Sequence, residues 1–556
     1  MKIMHMCLED KQNIRIYYIS LIVIGLFLIL PLIDTKIIAG HDHGFHIARI
    51  EAIAQALNNG VFPVRMYVDK VQFWGSPTGI FYPSVFLYIP ALLKLAGLPT
   101  GVCYNIFIAM VVFCGLFSSW YGFSMLTKSK CIGFLSSSLF ISSCYYLTVT
   151  YIRSAVGELL ALSFMPIAIG CIFNIINKTK VPIKIYFLAI FSISAIIESH
   201  VLSSIYFAFF SMCYLIINYK KITLEKLKII AVLSTVILLL NAFFIVPFLK
   251  FYKEVPLSFD FNAFSNRGVI LRNLFYFLTL GNFWIVTGLC MTISIIFFSN
   301  NKSTVKKWKQ YRFYFYCLFT GFAFLLMSSK WLWNIISPLK RIFEYMQFPW
   351  RLLGGASLFL CICAGYGLYL LVFRLKLDIK AVILLSALIC SSNLLVFICL
   401  KPAMYLGNEF VLKPKVFWER YYCCWDEDYL YKDMDVKALL NQKNRVITDA
   451  KITNWKKDLT DISFSYHMEH DSEIVLPLAN YPGYIVTTQT GDIVPIKENG
   501  NHMIKISLPK GHGEITIRYK GLRSFIIADL ISVFTLLALI FSSILVKRKG
   551  IGRRLI

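Results

Sequence analysis

Residues 220–249 read KKITLEKLKIIAVLSTVILLLNAFFIVPFL: four lysines within nine positions, then twenty-one residues without a charge. About 20 apolar residues suffice to cross a bilayer as a helix, and short loops rich in Lys and Arg stay on the cytoplasmic side. Lys220, Lys221, Lys226 and Lys228 therefore mark an inner loop, and 229–249 a span leaving it. The rest of the chain repeats this alternation. Of 556 residues, 58% are hydrophobic, yet 56 Lys and Arg stand against 30 Asp and Glu, for a formal net charge of +26. Mean hydropathy is +0.66.

Basic clusters recur at Lys2/Lys11/Arg15, Lys128/Lys130, Lys178/Lys180/Lys184, Lys302/Lys306/Lys307/Lys309/Arg312, Arg374/Lys376/Lys380 and Lys547/Arg548/Lys549/Arg553/Arg554. The apolar runs between them fall near 16–33, 103–126, 131–150, 156–176, 185–199, 201–218, 229–249, 283–299, 311–327, 352–373, 381–400 and 524–546. The expectation is an all-α polytopic membrane protein of about 12 spans with both termini cytoplasmic. The first span has no small-residue cleavage site after it, so it is read as a retained anchor rather than a signal peptide. Residues 81–98 are apolar enough to cross, which would make thirteen spans and turn every later basic cluster outward. Pro83, Pro90 and Lys94 favour an interfacial or re-entrant segment instead. Residues 268–281 are equally ambiguous.

The positive charge is divided among loops beside anionic lipid, so it does not indicate nucleic acid. The sequence shows no glycine-rich nucleotide loop and no transporter-type internal repeat. The 15 cysteines lie mostly within apolar runs, as small hydrophobes; the adjacent pair Cys423–Cys424 is assigned no role.

Three outer regions exceed simple connectors: 34–102, then 250–282 with 328–351, and 401–522. The division is a membrane domain over 1–400 that includes the outer loop 34–102, an extracytoplasmic β-rich domain over 401–522, and a final span with a basic cytoplasmic tail over 523–556. In the β-rich region, runs beginning at Glu473, Tyr484, Met503 and Glu514 alternate with period two. Gly, Asn and Pro turns separate them, predicting a small antiparallel sandwich. His467-Met-Glu-His-Asp471 reads as a solvated loop, since nothing fixes a metal geometry there.

The chemical stretch is Gly40-His-Asp-His-Gly-Phe-His-Ile-Ala-Arg-Ile-Glu51. Phe45, Ile47, Ile50, Ile53 and Leu57 have helical spacing, and Gly60 with Pro63 ends the helix. His46, Arg49 and Glu51 are expected on its polar side. Asp42, just before the helix, suits an N-cap. A cap does not explain three histidines, an arginine and a second carboxylate in the same short stretch. On the same side lie Arg153 and Glu158 at one outer turn, Glu198 and His200 at the next, and Arg351 ahead of a further span. Ionisable groups gathered at one leaflet are a functional-site expectation.

These stretches also carry a resemblance. GHDHGFHIARIEAIAQALNNGVFPVRM (40–66), FYPSVFLYIPALL (81–93), YIRSAVGELLALSFMPIAIG (151–170), the ESH turn (198–200) and MQFPWRLL (346–353) resemble a bacterial polytopic membrane family labelled "6-pyruvoyl-tetrahydropterin synthase-related". YPGYIV (481–486), LPKGHGEITIRY (508–519) and ISVFTLL (531–537) are similar to YfhO-type membrane proteins. Both groups look like GT-C superfamily glycosyltransferases. The label's soluble pterin enzyme uses a three-histidine zinc site. No such site is expected of His41, His43 and His46, which precede or open a helix in a chain made mostly of spans.

The GT-C resemblance implies an integral membrane glycosyltransferase of the cell envelope. Such an enzyme moves a sugar from a polyprenyl-phosphate carrier in the membrane to a glycan or lipid acceptor at the outer face, and its catalytic acid lies in the first outer loop, at the position of Asp42. The residue chemistry agrees. Inverting transfer needs a base at the acceptor hydroxyl, and the donor phosphate needs forked cations, for which Arg49, Arg65, Arg153 and Arg351 are the outer-face candidates. Glu158, Glu198 and His200 complete the expected substrate site. A divalent metal helps some members, and His46 with Asp42 or Glu158 is the candidate ligand set. His43 departs from the pattern, which more often has an apolar residue there. The competing readings are a lipid-linked sugar transporter or flippase, which would place polar groups near mid-membrane, and a non-catalytic envelope-assembly scaffold.

The topology predicts that an impermeant thiol reagent applied to intact cells labels Asn58→Cys and not Lys226→Cys, above the background of the native cysteines. Equal labelling of the two would contradict it.

Overall fold

The computed structural model describes residues 11–33, 40–68, 74–257, 282–298, 304–335, 347–404, 429–442, 446–448 and 450–548. The amino-terminal cluster at Lys2, the stretch 268–281, Cys423–Cys424 and the tail beyond 548 lie outside these residues. Among the described residues, helices of eight residues or more are α1 (Lys11–Leu28), α2 (His43–Asn58), α3 (Tyr88–Leu95), α4 (Thr100–Thr127), α5 (Lys130–Ile141), α6 (Val156–Asn177), α7 (Ile183–Ile197), α8 (Val201–Ile217), α9 (Leu224–Leu240), α10 (Ala242–Glu254), α11 (Phe283–Phe298), α12 (Thr304–Met327), α13 (Leu352–Arg374), α14 (Ile379–Met404) and α15 (Arg523–Arg548).

The chain is a multi-pass membrane protein. Five helices, α4, α6, α13, α14 and α15, are long and apolar enough to cross, and two bent pairs raise the number to seven. The shorter apolar helices α1, α7, α8, α11 and α12 fall on the remaining expected spans. Residues 81–98 hold no crossing helix. Their apolar helix covers Val85–Leu95, about 16 Å at 1.5 Å per residue, against a hydrocarbon core of about 30 Å. Turn chemistry fits the sequence where the chain reverses. At the turn between α4 and α5 Lys128 takes a left-handed conformation (φ 57°), and Ser129 caps α5 by accepting from the Ile132 N–H at 3.2 Å.

Both bent pairs expose backbone groups; side chains at and around each break bond some of them directly and pair with polar side chains beside them. The first pair bends by 46° between α5 and Cys144–Ile152. There the Cys144 N–H donates to Asn282 Oδ1 (3.1 Å) and Asn393 Nδ2 donates to Ser142 Oγ (3.0 Å). The second, α9 with α10, bends by 73°. Asn241 Nδ2 donates to Ile237 O (2.6 Å) and Ser194 Oγ (2.8 Å). From α15, Ser532 Oγ accepts from the Phe243 N–H (3.0 Å) and donates to Leu239 O (3.0 Å). In a bilayer no water reaches such groups, so these side chains make the breaks tolerable.

The β-rich region has strands β1 (Lys451–Asp458), β2 (Asp461–Met468), β3 (Ser472–Ala479), β4 (Tyr484–Thr488), β5 (Ile496–Lys497), β6 (Met503–Leu508) and β7 (Gly511–Tyr519). They form a four-stranded sheet, β1-β2-β7-β4, and a three-stranded sheet, β3-β6-β5, all antiparallel. Inward residues alternate along β2 (Ile462, Phe464, Tyr466, Met468), the pattern of a strand with one buried face. His467 lies on the exposed face of β2, and Glu469 to Asp471 are an exposed turn. The core of these sheets is shared with the loop 34–102 and with α10: Trp74, Ile80 and Phe81 of the loop and Phe251 of α10 are buried in it. The Ala479 N–H donates to Trp74 O (2.8 Å), and Asn59 Nδ2 donates to Asp458 Oδ1 (2.7 Å). Loop and sandwich therefore share one side of the membrane unit.

Ser532→Ala should lower stability by about 1–3 kcal/mol, the usual effect of leaving buried polar groups unpaired. Thermal unfolding in detergent checks this; an unchanged midpoint would mean that the break needs no support from α15.

Candidate functional site

Asp42 is held where the first outer loop meets the broken helix after α5. The His41 and Asp42 N–H groups donate to Ile152 O (3.0 Å) and Arg153 O (2.8 Å). Gly40 makes this approach possible: a Cβ there would lie 2.2 Å from Ser154 Oγ and 2.7 Å from Ile152 O. The segment it meets is a π turn, Thr148–Arg153, followed by Ser154 in a left-handed conformation (φ 53°). Such backbone is uncommon for a side-chain-bearing residue and concentrates at functional sites.

Asp42 occupies the N-cap position of α2, but its side chain makes no capping hydrogen bond. The charged groups facing it are Arg153, Arg351, His41 and Glu158. Burial pushes its pKa above the ordinary aspartate value, and the two arginines and His41 pull it part of the way back.

Beneath Asp42 lies an ion cluster centred on Glu158, whose side chain is 1% exposed. Arg153 Nη1 donates to its Oε2 at 2.5 Å, and Arg351 Nε stands 3.7 Å from the same oxygen. Tyr145 donates its phenol hydrogen to Oε1. Arg153 stacks on Trp350 (4.1 Å), and Arg351 lies over Phe348 (4.9 Å) and bonds Gln347 Oε1 (3.1 Å). A π turn, an α6 amino end and the loop before α13 are thus tied together by one carboxylate. Tyr145 and Trp350 escaped the sequence reading because an aromatic within an apolar run carries no polar signature.

The helix face expected to be polar is mostly buried. His46 and Arg49 are 1% and 2% exposed; only Glu51 is exposed, and it accepts from Thr100 Oγ1 (2.9 Å). Arg49 clamps the loop after Phe81, donating to Tyr82 O (3.2 Å), Pro83 O (2.7 Å) and Ser84 Oγ (3.0 Å). Arg65 lies apart, paired at 2.5 Å with Asp529 of α15. His200 caps α8, its Nδ1 accepting from the Ser203 N–H (3.3 Å), and its ring lies 5.9 Å from that of Tyr82. Glu198 is buried, and among the described residues neither of its oxygens has a hydrogen-bond partner. The structure therefore brings Asp42, Arg153, Glu158 and Arg351 together, sets His46, Arg49 and His200 around Tyr82, and leaves Arg65 elsewhere.

The three histidines of the motif diverge. His41 is exposed in a turn, His43 stacks on Tyr104 (4.4 Å) and His46 edges onto Tyr82 (5.9 Å). Among the described residues no group of three or more His, Cys, Asp or Glu gathers at metal-binding spacing. His46 Nε2 is buried without a partner. Burial holds the His46 pKa well below the ordinary value, and neighbouring Arg49 lowers it further; a cation at that position would meet the same repulsion.

No family model matches the chain, and no curated protein sequence does. Among solved structures, the chain is similar to the arabinofuranosyltransferase AftD from mycobacteria, at 13% identity and a TM-score of 0.44, over 69% of this chain and 27% of that one. It is also similar to ArnT from Cupriavidus metallidurans bound to undecaprenyl phosphate, at 11% identity and a TM-score of 0.38, over 63% of this chain and 60% of that one. This chain therefore spans about a quarter of the first and three fifths of the second.

Removing the central carboxylate should strand two buried cations. Glu158→Gln is expected to cost about 3–5 kcal/mol, the usual effect of breaking a buried ion pair from one side. Chemical or thermal denaturation in detergent measures it; a loss below about 1 kcal/mol would show that Glu158 does not hold the arginines.

Proposed function

We propose that this protein is an integral membrane glycosyltransferase that moves a sugar from a polyprenyl-phosphate carrier to an envelope glycan or lipid acceptor at the outer face. One observation carries the reading: Asp42 stands where a capping aspartate would stand, yet its carboxylate caps nothing and instead faces Arg153 and Arg351. In the reaction, the acceptor hydroxyl gives its proton to Asp42 as its oxygen attacks the anomeric carbon. The bond from that carbon to the phosphate oxygen breaks, and the carrier phosphate leaves with the electron pair. A single displacement inverts the anomeric centre. Arg153 and Arg351 receive the negative charge that develops on the phosphate. Glu158 keeps both guanidinium groups in place, and the aromatic rings on Arg153 and Arg351 restrict their motion.

The raised pKa of Asp42 is consistent with a base working in a partly dry site. An acid whose pKa is raised keeps its proton to higher pH. The base form, and with it kcat/KM, should therefore fall on the acid side at a pH above the ordinary aspartate range. A second reading, a carrier for the same lipid-linked sugar, draws on the two bent helix pairs, since broken helices line many transport sites.

Asp42→Asn separates these readings. The Asp42 side chain makes no capping bond and Asn matches it in size, so folding should be unchanged. Loss of the base should lower transfer about 10²–10⁴-fold and remove the acid limb of the pH profile. Transfer from polyprenyl-phosphate sugars in proteoliposomes is the assay. Full activity in the variant would reject Asp42 as base; movement of the donor across sealed vesicles without transfer would favour the carrier.

A further inference from the structure

The loop that Arg49 clamps presents one side chain for which the mechanism above has no use. Tyr82 has extended backbone (φ −120°, ψ 119°), as the following Pro83 favours. Its main chain is fixed from both sides: its carbonyl and that of Pro83 accept from Arg49, and neighbouring Phe81 is buried in the sandwich core, stacked on Tyr429. The ring is fixed too. The Arg49 guanidinium lies 4.3 Å over it, and the rings of Phe45, His46 and His200 surround it at 5.6–5.9 Å. A phenol held this firmly has a defined position for its hydroxyl.

That position is at the amino end of α6, directly over Gly157. A Cβ at 157 would lie 2.5 Å from Tyr82 Oη and 2.5 Å from Ser199 O, so only glycine admits the phenol. Gly157 directly precedes Glu158, the carboxylate that holds Arg153 and Arg351, so the hydroxyl stands next to that cluster. With the ring engaged by these contacts, the hydroxyl is the side chain's only polar group. Burial pushes its pKa up to about 12, which favours the protonated, donating form. A donor beside Arg351 suits a ligand with acceptors only, which is what a phosphate offers.

We propose that Tyr82 is a substrate-binding residue whose hydroxyl donates to the phosphate of the lipid-linked donor, beside Arg351. The proposal rests on the glycosyltransferase reading of the site and adds to it the group that fixes the phosphate on the Asp42 side. Gly157 is the positioning residue that makes room for this contact.

The test is binding of a polyprenyl phosphate to the purified full chain in detergent, with donor and acceptor KM measured in parallel. Tyr82→Phe removes one oxygen and leaves the ring contacts. It should weaken binding of the polyprenyl phosphate, and raise the donor KM, about 10- to 100-fold, as expected for a hydrogen bond to a charged group, with the acceptor KM and the unfolding midpoint unchanged. Gly157→Ala, which displaces the hydroxyl, should reproduce the donor defect; if it fails to fold, Tyr82→Phe alone decides. Wild-type binding and transfer together with an unchanged Tyr82→Phe would overturn the role of Tyr82 and leave the transferase reading intact. A rise in acceptor KM alone would move Tyr82 to the acceptor side and overturn the phosphate contact. Failure of the wild type to bind polyprenyl phosphate would overturn both readings.

Discussion

A carboxylate that is 1% exposed, with one arginine at 2.5 Å and another at 3.7 Å, fixes much else in this molecule. Two guanidinium groups brought into a membrane protein's interior carry a large desolvation cost, and Glu158 offsets it only if the geometry is tight. The π turn that delivers Arg153, the bend at Ser142–Ser143 and the loop ahead of α13 that delivers Arg351 all serve that geometry. The first outer loop then closes over the cluster through two backbone hydrogen bonds to Ile152 and Arg153. Asp42 acquires its electrostatic setting chiefly from this arrangement, with its sequence neighbour His41 contributing less.

The same economy of satisfied groups explains the rest of the bundle. Where a helix breaks, one polar side chain from elsewhere reaches the bared backbone, Asn282 at the first break and Ser532 at the second, while Asn393 and Ser194 pair with the side chains of Ser142 and Asn241 beside it. The last helix is therefore structural as well as a membrane anchor. It supports the α9–α10 bend through Ser532 and holds the outer loop through the Asp529–Arg65 pair. The sandwich, inserted just before it, shares its core with Trp74, Ile80 and Phe81. Tyr82 follows directly, so the sheet domain and the polar cluster are joined by adjacent residues.

The spans were legible because hydropathy and basic loops report directly on a bilayer. The later strands were legible because period two needs only one buried face. β1 was less so: Lys451 to Asp458 is mostly exposed and carries little alternation. The gathering of Asp42, Arg153, Glu158 and Arg351 followed from topology alone, since each sits at the same end of a span. The individual roles did not. Arg49 and Arg65 carry the same charge and lie on the same side as Arg153, but their partners, the carbonyls of Tyr82 and Pro83 and the carboxylate of Asp529, are distant in sequence. Tyr82 and Tyr145 were invisible for the opposite reason: a phenol in an apolar stretch looks like core until its hydroxyl is placed.

The most direct test of the account is a structure of the protein with a polyprenyl phosphate bound. The account predicts phosphate density in contact with Arg153 and Arg351, with Asp42 within reach of the adjoining acceptor space and the prenyl chain leaving into the membrane. Phosphate density on another face of the bundle, with the Glu158 cluster unchanged and unengaged, would contradict it.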